Sequence, residues 1–181
     1  MTDTANPRPI HSLTGNSFGG RRRSGSKNAI IDSVLAVAAR NCRMADHFTV
    51  PGLFPPPGYA HVAVVEPGER LVFTAGAVPL DATGALVGAG DFIAQTVQVL
   101  SNLDAALRAA GTGLEHVVNT MIYVVATEQR QLADVWSVVQ TSGLRAKPHT
   151  STLLGVPILG YTGQLVEITA VAVMPTTGSM G

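Results

Sequence analysis

The chain has 181 residues, 46% of them hydrophobic and 13% charged, which suits one domain with a sizeable core; no apolar run is long enough to predict a transmembrane helix. Its single cysteine, Cys42, excludes an intrachain disulfide and a cysteine-based zinc site, and is compatible with a reducing, cytoplasmic setting. The charges cancel only because residues 1–43 carry seven basic and two acidic side chains while residues 44–181 carry five basic and ten acidic ones; the acidic part has no basic stripe with which to neutralise phosphates, so no nucleic-acid partner is expected.

Residues 1–27 are rich in Gly, Ser, Asn, Pro and Arg without an apolar period, and read as disordered. Residues 28–40 could form a short helix. The first 43 residues as a whole read as a disordered segment or an extension upstream of a natural start at Met44, although an Arg-rich, acid-poor start also fits a transit peptide. Residues 44–176 are the expected domain, and 177–181 a flexible tail.

The run VPGLFPPPGY (50–59) is a loop stiffened by Pro55, Pro56 and Pro57, and it delivers Tyr59 to a fixed place. HVAVV (61–65) and RLVFTAG (70–76) are strand-like and flank EPGE, so the pair predicts a hairpin. Residues 78–88 turn at Asp81–Gly84 and add a short strand. Asp91 is a good N-cap for a helix whose apolar face would carry Ile93, Val97, Leu100, Leu103 and Leu107, with Gly111 at its end.

VVNTMIYVVA (117–126) predicts a strand buried on both faces. Thr127 would cap a second helix with Leu132, Val135, Trp136 and Val139 on its apolar side, ended by Gly143. Two more strands follow, near 150–155 and 164–173, separated by the turn-rich GVPILGYTG. Two helices would cover one side of the resulting sheet. The other side would need cover from a second copy, so a homo-oligomer with facing sheets is expected.

Glu167 is the odd residue in QLVEITAVAV. A carboxylate among apolar neighbours is either a general acid/base or water-orienting group with a raised pKa, or an edge residue that keeps the strand soluble. Thr150 and Thr152 share one strand face and Ser151 takes the other. They either line a pocket or make local turn bonds. His149, beside Pro148, reads as a loop histidine. His61, close to Tyr59, either polarises a substrate or sits on a strand surface. His47 and His116 have no partners at metal-ligand spacing, so no metal site is expected. Trp136 and Tyr123 read as packing residues, and there is no G-x-G-x-x-G or Walker A run.

From about Tyr59 to Val173, VFTAGAVPLDATGALVG, AQTVQVLSNLDAALRAAG, LEHVVNTMIYVVA, KPHTST and LVEITAVAV together resemble the RidA family, also called YjgF-type or L-PSP. The resemblance implies an α+β, chorismate-mutase-like subunit with two helices on one face of a mixed sheet. It also implies a homotrimer with a central β-barrel and small-molecule clefts between subunits. The implied activity is hydrolysis of reactive enamines or imines with release of ammonia, using no metal and no cofactor.

By position, the resemblance puts the family's water-orienting glutamate at Glu167 and its pocket tyrosine at Tyr59. Ala75-Gly76-Ala77 stands where Ser-Gly-Gln is usual, and Thr150 stands where active imine deaminases place a carboxylate-binding arginine. The candidate catalytic residues are therefore Glu167 and Thr150, with Tyr59, His61, Ala75, Trp136 and Thr152 at the substrate. The alternative is a trimer that binds a small metabolite without turnover. A ribonuclease reading fits poorly with the acidic charge of residues 44–181.

Overall fold

Two long strands, Val117–Val125 and Val166–Val173, decide the architecture, because their side chains alternate between a face that is fully covered and one that is only half-buried. The structure, a computed structural model, describes residues 44–175. The disordered stretch and short helix expected before residue 44, and the tail at 177–181, lie outside the described residues.

A four-stranded mixed sheet has the order β3 (Leu71–Phe73), β6 (Val166–Val173), β4 (Val117–Val125), β5 (Thr150–Val156). β4 and β6 are its antiparallel centre, with Ile122 opposite Ile168. β5 runs parallel to β4, and β3 runs antiparallel to β6. A parallel neighbour needs a crossover, here supplied by α2 (Gln129–Thr141). A second, two-stranded sheet pairs β1 (Ala45–Phe48) with β2 (Val62–Val65).

The last pairing corrects the sequence reading. β2 and β3 do not form the expected hairpin: β2 joins β1, and β3 joins β6 with Leu71 opposite Val173. Valine-rich runs specify a strand but not its partner, and β1, with only four residues, gives almost no sequence signal. The short strand expected within 78–88 is a single bridge between Leu80 and Leu86. It closes on a turn in which Asp81 Oδ1 accepts from the Thr83 and Ala85 N–H groups at 2.8 and 2.9 Å.

α1 (Phe92–Ala109) starts at Asp91, whose Oδ1 accepts from Ile93 N and Ala94 N at 2.9 and 3.0 Å. Gly111 follows the helix at φ 88°, where a side chain would be strained. The buried stripe is Thr96, Val99, Leu100, Leu103 and Leu107. Ile93 and Val97 were expected on it but are 51% and 55% exposed. At 3.6 residues per turn Val97 points about 100° away from the stripe's centre, so it belongs to the flank. The second helix also begins one residue later than expected. Its N-cap is Glu128, and Gln131 Oε1 accepts from Thr127 N and Glu128 N at 2.8 and 3.1 Å.

The core lies between the two helices and one sheet face. Val99, Leu103, Leu107, Val135 and Val139 meet Ile122, Val124, Val166 and Ile168. Each such buried aliphatic side chain contributes about 1.5–3 kcal/mol. Gln95, fully buried, ties α1 to the loop before β6: its Nε2 donates to Gly163 O at 2.9 Å and its Oε1 accepts from Leu165 N at 2.7 Å.

On the opposite face Asn119, Met121, Tyr123, Glu167, Thr169 and Val171 are only half-buried. The expected burial of β4 on both faces is therefore not met within one chain. Among the described residues, no helix is long and apolar enough to cross a membrane.

Candidate functional site

β3 does not stop cleanly at Phe73. Thr74 N donates to Ala170 O at 3.0 Å, and Ala77 N donates to Ile168 O at 2.8 Å. Two residues, Ala75 and Gly76, thus stand opposite the single residue Thr169. That is a β-bulge, a device that bends a strand and re-aims its groups. Thr74 strengthens the break, because its Oγ1 accepts from Ala170 N at 2.9 Å.

The bulge explains how Glu167 is housed. A Cβ on Gly76 would collide with the Glu167 carboxylate and would come within 2.8 Å of its Cγ. Only a glycine lets that acid lie against the backbone. From the other side Gln164, 4% exposed, donates its Nε2 to Glu167 Oε2 at 3.0 Å. Gln164 is in turn held by Tyr161 N, which donates to its Oε1 at 3.1 Å. The carboxylate is half-buried, on the open sheet face, with Tyr123 opposite it on β4. Such a group can orient a water or pass a proton.

Thr150 and Thr152 lie on the same open face, since they pair with Asn119 and Met121 of β4. Thr150 donates its hydroxyl hydrogen to Val118 O at 3.0 Å and accepts from Asn119 Nδ2 at 2.9 Å. One lone pair remains, so Thr150 can hold a water but has no hydrogen for an anion. Thr152 is exposed. Thr150 is level with Asn119 and Glu167 with Tyr123, a separation of about 13 Å along the strand. A single chain does not bring the two candidate catalytic groups together.

Tyr59 and Trp136 stand on the helix-covered side. Tyr59 contacts Trp136 edge-on at 6.2 Å between ring centroids and His61 at 6.4 Å. Tyr59 and Trp136 line a cavity with Pro57, Ser151 and Leu153. Both nitrogens of His61 are used by loop backbone: Nδ1 accepts from Val50 N at 2.9 Å, and Nε2 donates to Phe54 O at 3.0 Å. These two bonds fix the orientation of the ring and make His61 a brace for the 50–59 loop. Ala75 lines a separate cavity of about 430 Å³ beside Asn102 and Ala106 of α1.

Two features were not visible in the sequence reading. Gly76 and Gln164 position the acid, and the signal for Gly76 was a glycine inside a strand pattern, which marks a bulge or a close approach. His149, read as a loop histidine, is only 2% exposed. Its Nε2 meets Thr120 Oγ1 at 3.1 Å, and Thr120 Oγ1 meets Ser151 Oγ at 2.8 Å, forming a buried hydroxyl–imidazole chain. Burial pushes the His149 pKa down, opposed by the Leu144 and Lys147 carbonyls and aided by His47. His47 and His116 are also lowered, chiefly by burial.

Residues 55–174 match the family model described as endoribonuclease L-PSP. A RutC family protein of Synechocystis sp. is 36% identical over 106 residues, covering 58% of this chain and 79% of that protein. Protein DfrA of Myxococcus xanthus is 34% identical over 115 residues, covering 64% of this chain and 84% of DfrA. Among solved structures, a protein of unknown function from the conserved Rid family of Yersinia pestis superposes with a TM-score of 0.68. It is 33% identical, and the match covers 73% of this chain and all of that one.

Proposed function

The chain belongs to the endoribonuclease L-PSP family, the Rid or YjgF group, and from that premise we propose that it is a metal-independent hydrolytic deaminase of a reactive enamine or imine, acting as a cytoplasmic homotrimer. The observation that carries this reading is the placement of Glu167. A carboxylate wedged on a glycine bulge, gripped by a buried amide and facing an uncovered sheet surface, is costly to build for solubility alone.

In the proposed trimer the open faces close around a central barrel, and Thr150 of a neighbouring copy supplies the hydroxyl that a single chain keeps away from Glu167. Glu167 takes a proton from water as that water adds to the carbon of the protonated imine, and passes it to the nitrogen of the resulting carbinolamine; the C–N bond then breaks to release ammonia while the carbinolamine hydroxyl gives its proton to Glu167 as the carbonyl forms. Thr150 accepts a hydrogen bond from the same water. The N–H groups of Ala75 and Gly76, released from the ladder by the bulge, are the donors available to developing negative charge.

The substrate is not a compact amino-acid imine. With Thr150 in place of an arginine, a charge-assisted pair with a substrate carboxylate is lost, about 2–5 kcal/mol at a desolvated site. Arg145 does not replace it, because it lines a groove beside Trp136 on the helix side. The test is ammonia release from a panel of neutral and extended enamines. Turnover that disappears in Glu167→Ala supports the reading, and equal rates reject it.

The committed hydroxyl of Thr150 favours a second reading, a trimer that binds a small metabolite without turnover. Ligand-induced thermal shifts with no ammonia from any enamine would select it.

A further inference from the structure

Against α2, on the face away from Glu167, a groove of about 510 Å³ is lined by Gly58, Trp136, Ser137, Gln140, Arg145 and His149 together with apolar residues. That volume suits a small organic ligand. Its walls are fixed. Trp136 Nε1 and Gln140 Nε2 both donate to Pro57 O, at 3.1 and 2.7 Å. Gly58 sits at φ 87°, where a side chain would run into Gln140, so the proline loop closes tightly on the helix.

The polarity of the groove is one-sided. No acidic residue lines it. Arg108 and Arg130 pair with acids elsewhere, whereas Arg145 has no acidic partner among the described residues. The neighbouring hydroxyls cannot serve an anion, because Ser137 Oγ donates to Asp134 O at 2.7 Å and Thr141 Oγ1 to Val138 O at 2.9 Å. The buried His149 at the back is held by Thr120, with the Leu144 and Lys147 carbonyls beside its ring. The lining thus offers one planar guanidinium beside one flat indole.

We propose that this groove is a second small-molecule site, for an organic carboxylate with a flat apolar body: the carboxylate on Arg145, the body along Trp136. A guanidinium matches a carboxylate as a two-pronged donor. The site is independent of the Glu167 chemistry, since the sheet lies between them.

Trp136 is the only tryptophan in the chain, so its fluorescence reports the groove directly. The full chain is titrated with phenylacetate and with its neutral isostere phenylacetamide, in parallel with Arg145→Gln, Arg145→Lys and Glu167→Gln. Phenylacetate should give a saturable change, with phenylacetamide and Arg145→Gln weaker by about tenfold or more. Arg145→Lys should fall between, and Glu167→Gln should match the parent. Equal binding of acid and amide, unaltered binding in Arg145→Gln, or no saturable change at millimolar phenylacetate would overturn the site. The Glu167→Gln arm separates that outcome from a failure of the deaminase reading.

Discussion

The Glu167 carboxylate fills the space that a Cβ on Gly76 would need. One residue without a side chain and one with a charge are therefore a single device, built by a bulge opposite Thr169 and locked by Gln164. Gly76→Ala should keep the fold, because the clash falls on a side chain that can swing into the open face. It should nonetheless cut deaminase activity at least tenfold, since a displaced acid loses its alignment. Melting curves beside ammonia assays check this, and an active Gly76→Ala protein would show that the wedge has no role in chemistry.

The open face makes a prediction about assembly. Leu154, 41% exposed, is level with Tyr123 and Glu167 across the sheet. A charge there would have to be buried without a partner if sheets pack face to face. Light scattering should find the parent trimeric and Leu154→Arg dissociated. A parent that is a single copy at all concentrations would remove the inter-subunit cleft.

Acid should destabilise the fold from pH 6.5 downward. His47, His116 and His149 have folded pKa values below their ordinary value of 6.5. Between the folded and unfolded values the unfolded chain binds more protons, so stability falls as pH falls and is flat above 6.5. His149 alone contributes a slope of up to about 1.4 kcal/mol per pH unit. Urea melts across pH 5 to 8 measure it, and His149→Gln should flatten the profile. A parent with the same stability at both ends contradicts the burial of these rings.

Two substitutions in α1 separate local from core stabilisation. Asp91→Ala removes an N-cap and should cost about 0.5–2 kcal/mol. Leu103→Ala opens a cavity at a fully buried site and should cost about 2.7–5 kcal/mol. Chemical denaturation ranks them, and a reversed order would mean the core is not where Leu103 places it.

α1 was legible because cap, period and terminal glycine agreed; β4 and β6 followed from long apolar runs, and α2 from its periodic apolar face. The hairpin was misread because strand pairing is a tertiary choice that Val-rich composition does not encode. Ile93 and Val97 were misplaced because apolar residues on a helix flank share the spacing of the stripe. Glu167 stood out as a charge in an apolar strand, but its supports did not. A glycine's close approach and a glutamine's grip depend on which strands meet. His149 looked like a loop residue because its burial comes from packing against Leu144 and Thr120, distant or irregular in sequence.

The central claim is that Glu167 moves the proton. Its most direct test is steady-state ammonia release from a responsive enamine by the parent and by Glu167→Gln, a change that keeps the side chain's size and an acceptor for Gln164. The account predicts a fall of about 10²–10⁴ in kcat with an unchanged melting temperature. A Glu167→Gln protein as fast as the parent would contradict it.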